Sequence, residues 1–253
     1  MAGFQQVNIS RELDFVGAAA YQGNTGLIIP KKKIFDSIFT PSYTYEGWSA
    51  TTDKGGTAAA LSNDGGGVTL TLGGVDEDCG ELYQTKSWAP AYNCGMLAKL
   101  KISAITEVCV TVGFADAREN TNDHVAGEID SAAYRNMSTT ADWCGFTFDT
   151  DQTTDVWYVG CSNNGTEGTP SAALGSIAPV ADTYFYVSIQ TDASGNVTFY
   201  YGTKIDNLTA VGYKSAGIAY GATDLLTPYI GFLAHTATAL VCSVSRVIVW
   251  QDN

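Results

Sequence analysis

Residues 183–201, TYFYVSIQTDASGNVTFYY, decide how the rest of this chain is read. Phe185, Val187 and Ile189 alternate with Tyr184, Tyr186 and Ser188. After Asp192-Ala193-Ser194-Gly195-Asn196 the alternation resumes with Val197, Phe199 and Tyr201. A period of two sends successive side chains to opposite faces of a strand, so the stretch predicts a β-hairpin closed by a five-residue loop. Gly195 and Asn196 tolerate the positive φ of a chain reversal, which the flanking β-branched and aromatic residues resist. The aliphatic row predicts a buried face and the tyrosines the opposite one.

The same rhythm recurs on either side. Upstream, Phe35 and Phe39 precede Trp48, and Val68, Leu70 and Leu72 alternate with threonines behind the turn Gly65-Gly66-Gly67. Strands are expected at 80–87, 95–102, 108–114, 143–148 and 156–161, and downstream of the hairpin at 210–214, 226–233 and 240–250. Only 15% of the residues are charged, which suits strands and tight turns better than helices rich in Glu and Lys. The fold expected is all-β, an antiparallel jelly-roll β-sandwich over residues 34–253, preceded by an extended N-terminal arm of residues 1–33.

Two segments stand apart. The arm has no sustained period, yet it carries Phe4, Leu13 and Phe15 and ends in Lys31, Lys32 and Lys33; these six are the candidate partner-binding residues. The second is a polar, acid-bearing loop insertion at 116–141, of a length that is often functional.

Charge excludes one class of partner. Net charge is −13, and it falls on the body: residues 46–253 hold 9 basic and 23 acidic groups, against 4 and 3 in residues 1–45. Such a body repels a phosphate backbone, so no nucleic-acid partner is expected. No apolar stretch is long enough to span a bilayer, and no membrane role is expected. MAGFQQVNISRELDF lacks the apolar run of a signal peptide. The six cysteines therefore read as reduced, buried small hydrophobes, with Cys79 and Cys94 the pair least fitted to a strand rhythm. No CxxC spacing occurs and the two histidines are isolated, so no metal or other cofactor is expected.

The runs GFTFDTDQTTDVWYVGCSNNG (145–165), VADTYFYVSIQTDASGNVTFYYG (180–202) and LTPYIGFLAHTATALVCSVSRVIVWQ (226–251) resemble the concanavalin A-like (LamG/lectin-like) jelly-roll modules of bacteriophage structural proteins. That resemblance implies two stacked antiparallel sheets. It also implies a non-enzymatic virion structural protein: a capsid decoration or cement protein, or a head-fibre subunit, assembled in the host cytoplasm. Its partners would be capsid or other virion proteins, reached through the arm, and it would form a homo-oligomer, with a trimer as the expected state.

The same broad fold includes lectins and β-glucanases. For a lectin-like module recognising a host-surface glycan, the candidate carbohydrate-binding residues are Tyr184, Tyr186, Gln190 and Tyr200, which offer aromatic planes beside hydrogen-bonding groups. The competing reading packs these tyrosines beneath the insertion or against a neighbouring subunit. For a glucanase, Gly127-Glu128-Ile129-Asp130 looks like the start of the strand motif E-I-D-x-E, but Ala132 stands where the last acid belongs. Without it the leaving oxygen has no proton donor, and no catalytic residue is assigned. Asp149, Asp151 and Asp155 could converge on a hard cation, but read more simply as turn formers.

Overall fold

The computed structural model describes residues 32–38, 47–60, 67–118, 124–130, 133–134, 142–163, 166–167, 174–218 and 224–252. The hairpin forms as its alternation requires. Strands β13 (Phe185–Thr191) and β14 (Val197–Gly202) pair antiparallel with Ile189 opposite Phe199 and Ser188 opposite Tyr200. Of the two loop residues singled out, only Gly195 takes positive φ, at 73°. Asn196 works through its side chain: Nδ2 donates to Asp192 Oδ2 at 2.7 Å and Oδ1 accepts from the Ala216 N–H at 3.0 Å.

Around this hairpin lies an eight-stranded sheet. It runs β15 (Thr209–Lys214), β14, β13, β6 (Gly95–Ile102), β17 (Val241–Asp252), β4 (Val68–Thr71) and β3 (Thr57–Ala60), with β1 (Lys32–Ile38) beside the second half of β17. A seven-stranded sheet packs against it, in the order β12 (Thr166–Glu167), β11 (Trp157–Asn163), β10 (Trp143–Asp149), β7 (Val108–Ala115), β16 (Thr227–Ala234), β5 (Cys79–Gln84) and β2 (Trp48–Thr52). All these ladders are antiparallel.

The inner faces follow from the alternation. Val108, Val110, Val112 and Phe114 on β7 meet Met96, Ala98, Leu100 and Ile102 on β6 in one core. Trp157 anchors it, edge-on to Phe146 at 5.9 Å and to Phe185 at 5.4 Å. Strand β17 stays in register only through an irregularity between Val244 and Arg246. The extra residue turns Val247 and Val249 inward after Cys242 and Val244, and sends Arg246 out.

Two expectations need correcting. The sandwich begins at Lys32, because Lys32 and Lys33 are the first residues of β1 and pair with Asp252 and Gln251. A boundary at residue 34 would cut this strand. Lys33 is also held by its own domain, with Nζ 4.1 Å from the centre of the Trp88 ring and donating to the Ser87 carbonyl at 3.3 Å. Phe4, Leu13, Phe15 and Lys31 lie outside the described residues. Second, the described part of the insertion is not a polar surface loop. Val125, Ala126 and Ile129 are buried in a second cluster with Cys79, Cys109, Trp143, Tyr229 and Leu233 on the outer face of the seven-stranded sheet.

Candidate functional site

That second cluster closes one of the sandwich's two outer faces. Gly113 and Gly145 stand opposite each other on β7 and β10, and Gly127 of the insertion takes φ of +83° above them. A Cβ at any of the three would run into the Trp143 indole. The ring thus lies across two strands stripped of side chains, with the insertion as its lid. Tyr229 meets it edge-on at 6.0 Å.

Polar bonds tie the lid down. The Tyr229 hydroxyl accepts from the Ala126 N–H at 3.1 Å and donates to Glu81 Oε1 at 2.6 Å. Thr147 Oγ1 donates to the Gly127 carbonyl at 2.6 Å and Gln152 Nε2 to that of Ile129 at 2.9 Å. Arg118 donates to the Tyr83 hydroxyl at 2.9 Å and stands 3.9 Å from Glu81 Oε2. Burial, then the nearby Glu81 charge, push the Tyr229 phenol well above its ordinary range, so it stays a donor to Glu81.

The glucanase-like acids fall in this lid. Ile129 and Asp130 form β8, which among the described residues pairs only with β9 (Ala133–Tyr134), in a two-stranded ladder apart from both sheets. Glu128 is 3% exposed, with His124 Nδ1 at 3.5 Å. The two acids do not emerge from a sandwich strand, as the sequence resemblance to a strand motif would need.

At one end of the same face Asp149, Asp151 and His235 meet. Asp149 closes β10 opposite Cys109, and His235 follows directly on β16. Asp149 Oδ1 accepts the Asp151 N–H at 3.1 Å and lies 2.8 Å from His235 Nε2; His235 Nδ1 is 3.3 Å from Asp151 Oδ2. One ligand atom from each residue falls within 4.8 Å of the others. The His235 imidazole lies between the two carboxylates. Burial works against its protonated form, but the hydrogen bond to Asp149 and the charges of Asp149, Asp151 and Glu128 outweigh it and hold its pKa above the ordinary value. Sequence reasoning grouped Asp155 with this pair; it is His235 that joins them.

The other outer face is built differently. Tyr186 and Gln190 project from β13 on the side opposite Val187 and Ile189, and Tyr200 faces Ser188 across the ladder. Tyr184 leads into the row. All three tyrosines are half-buried and Gln190 is exposed. The described part of the insertion packs on the opposite sheet, so these tyrosines do not lie beneath it. Sequence reasoning missed their neighbours. Lys99 and Lys101 on β6 place their ammonium groups 4.3 and 5.1 Å from the centre of the Tyr184 ring. On β17, Arg246 forks onto Asp36 of β1, with Nε at 2.9 Å from Oδ1 and Nη2 at 2.5 Å from Oδ2.

Comparison with known proteins bears on the fold. No known family profile and no curated protein sequence matches the chain. Solved structures do. A protein of unknown function, SO2946 from Shewanella oneidensis MR-1, is similar with a TM-score of 0.60 at 11% identity, over 100% of this chain and 95% of that one. Peanut lectin is similar with a TM-score of 0.54 at 12% identity, over 87% and 97%. The β-glucanase of Bacillus licheniformis is similar with a TM-score of 0.56 at 13% identity, over 87% and 98%. The fold is the concanavalin A-like jelly roll. Lectins and glucanases share it, and at these identities the likeness extends to architecture alone.

Proposed function

We propose that this protein is a non-enzymatic, glycan-binding module whose site is the tyrosine-bearing outer face of the eight-stranded sheet. The observation that carries this reading is the contrast between the two outer faces. One is sealed by the protein's own insertion over Trp143, while the other offers Tyr184, Tyr186 and Tyr200 beside Gln190. Tyrosine rings match the apolar C–H faces of sugars, and Gln190 with Thr198, its partner across the ladder, supplies donors and acceptors for hydroxyls. Lectins among the structural relatives agree with this reading; a β-glucanase and an endo-β-1,4-glucuronan lyase among them set the enzyme alternative.

Against hydrolysis stands the burial of Glu128 within the lid, where at 3% exposure its carboxylate has little access to a substrate oxygen. A glycan array tests the binding reading: folded protein should bind, and Tyr186→Ala with Tyr200→Ala should abolish binding without lowering the melting temperature by more than a few degrees. A blank array with folded wild-type protein would overturn it. Hydrolysis of a β-glucan panel, lost in Glu128→Gln, would establish an enzyme instead.

A second reading concerns where the module is carried. Its support is that β1, the first strand among the described residues, opens at Lys32, with 31 residues of sequence ahead of it. Their apolar side chains, Phe4, Leu13 and Phe15 among them, suit docking on a larger assembly, and we propose a virion surface in the role of a decoration or head-fibre subunit. Mass spectrometry of purified virions tests this directly, and the absence of the polypeptide would end it.

A further inference from the structure

Of the protein's five tryptophans, Trp48, Trp88, Trp143 and Trp157 are buried, while Trp250 is half-buried on the outer face of the eight-stranded sheet. Its side follows from the alternation of β17, since Val247 and Val249 point into the core. Across the ladder stands Gly95, the first residue of β6. A Cβ on Gly95 would come 2.5 Å from Cζ2 and 2.6 Å from Cε2 of the indole, and its next contact would be the Ile189 carbonyl oxygen at 3.0 Å. An edge-on approach beside that bond would bring Nε1 closer than either carbon, so the ring lies face-down on the glycine. Its other face is turned away from the sheet.

The indole ends an uncharged row that crosses the sheet. Register carries this row from Gly95 to Gln190 on β13, Thr198 on β14 and Tyr213 on β15, all on one face. Gln190 is exposed, and so is Tyr213, at 60%. Tyr200 flanks the row, two residues beyond Thr198 on the same face. At about 4.8 Å between strands, the three steps from Gly95 to Tyr213 span about 14 Å. The charged groups of the face stand apart from it: Lys99 and Arg246 lie four residues along their strands from Gly95 and Trp250, about 13 Å away.

Resting on the glycan-binding reading above, we propose that this row takes an extended, uncharged, β-1,4-linked glycan, with Trp250 as its principal stacking plane. Such a chain is a flat ribbon, so successive pyranose rings reach from Trp250 at one end to Tyr213 at the other; an α-1,4-linked chain winds away from the surface. The upper indole face meets the C–H face of a sugar ring, and Gln190 and Thr198 between the two aromatics supply donors and acceptors for hydroxyls. A row without charge is cheaply desolvated by an uncharged ligand, and a net charge of −13 works against an acidic one.

Calorimetric titration of the full chain tests the proposal with cello-, manno-, xylo- and chitohexaose, the matching disaccharides, and maltohexaose as the α-linked control. At least one β-linked hexaose should bind about tenfold or more tighter than maltohexaose and than its own disaccharide, with little change as salt is raised. Trp250→Ala should lose about tenfold or more of that affinity, and Trp250→Phe, which keeps an aromatic plane, should recover part of it. Tyr213→Ala should also weaken binding while melting as wild type does, which keeps the test decisive if Trp250→Ala does not fold. Acrylamide quenching reads the stacking itself: bound hexaose should shield the accessible part of the tryptophan emission, and Trp250→Phe should lack that part. Equal binding of maltohexaose, no shielding by a bound hexaose, or full affinity in Tyr213→Ala each overturns the proposal and leaves the glycan-binding reading standing. So does binding of other glycans on the array when no hexaose binds. No binding of any glycan by folded protein removes both.

Discussion

The Trp143 indole occupies the space that a side chain at Gly127 would need. One residue belongs to the scaffold and the other to the insertion, so this single contact couples the lid to the seven-stranded sheet.

Gly127→Ala should therefore destabilise the protein on two grounds: overlap with the ring, and an L side chain held at φ of +83°. The combined cost expected is about 2–4 kcal/mol. Gly113→Ala should cost at least as much, since its Cβ would meet the Cys144 carbonyl and the Gly145 backbone, which cannot swing away. Gly175→Ala is the control, being also at positive φ, +61°, but with nothing within 4 Å. Thermal melts rank the three, and a Gly127→Ala melt equal to that of Gly175→Ala would show that the lid does not rest on Trp143.

His235 should give stability a pH dependence. Its pKa is raised on folding above the 6.5 of the free side chain, so the folded state binds its proton more tightly. The contribution is fully present below about 6.5 and is lost as pH rises through the folded-state value. The difference in melting temperature between wild type and His235→Gln should be largest below the free side chain's 6.5 and shrink as pH rises above it. Asp149→Asn should weaken the same dependence, because it removes the strongest partner of the ring. A wild-type advantage that grows with pH would show that the imidazole is held neutral.

The hairpin and both sheets were legible because strand periodicity is local: Phe185, Val187 and Ile189 declare their face within five residues. The site was less legible because its contacts are not local. His235 looks isolated in sequence, being 86 residues from Asp149, and Arg246 lies 210 residues from Asp36. Lys32 and Lys33 group with the arm in sequence, since nothing near them reveals that β17 pairs with them. The lid did leave a trace. Glycines at 113 and 145, each interrupting a run of larger strand formers, mark where something lies flat on the backbone, although they do not name Trp143.

The thiols should be inert in the folded state. All six cysteines are free and buried, and burial pushes those of Cys94 and Cys242 up to about 12, leaving almost no thiolate at neutral pH. Cys79 and Cys94, the pair the sequence singled out, lie in different clusters on opposite sides of a sheet. The neighbours are Cys144 and Cys161, paired across β10 and β11. Dithiothreitol should leave the melting temperature unchanged, and maleimide labelling should be slow until denaturant is added. A large loss of stability in reductant would mean that a disulfide holds the native protein together, with Cys144 and Cys161 its first candidates.

Truncation separates the N-terminal segment from the sandwich, and β1 fixes where the cut must fall. Removing residues 1–31 leaves all seven rungs from Lys32 opposite Asp252 to Ile38 opposite Arg246, so the shortened protein should keep its β-sheet circular dichroism and a cooperative melt. If the segment docks on an assembly, as its apolar side chains suggest, the same protein should no longer join particles or form the native oligomer, because their burial stabilises a complex only where a partner covers them, at roughly 25 cal/mol per Å². Removing residues 1–38 should act differently. It strips the ladder from the second half of β17, leaves Arg246 without its Asp36 fork, and takes away the Ser37 hydroxyl that accepts from Trp48 Nε1 at 2.7 Å. A loss of several kcal/mol is expected from these together. Unfolding after removal of 1–31 would make the segment part of the core. Normal assembly after it would move the contacts to the sandwich itself, and the basic tyrosine face would then be the first surface to mutate.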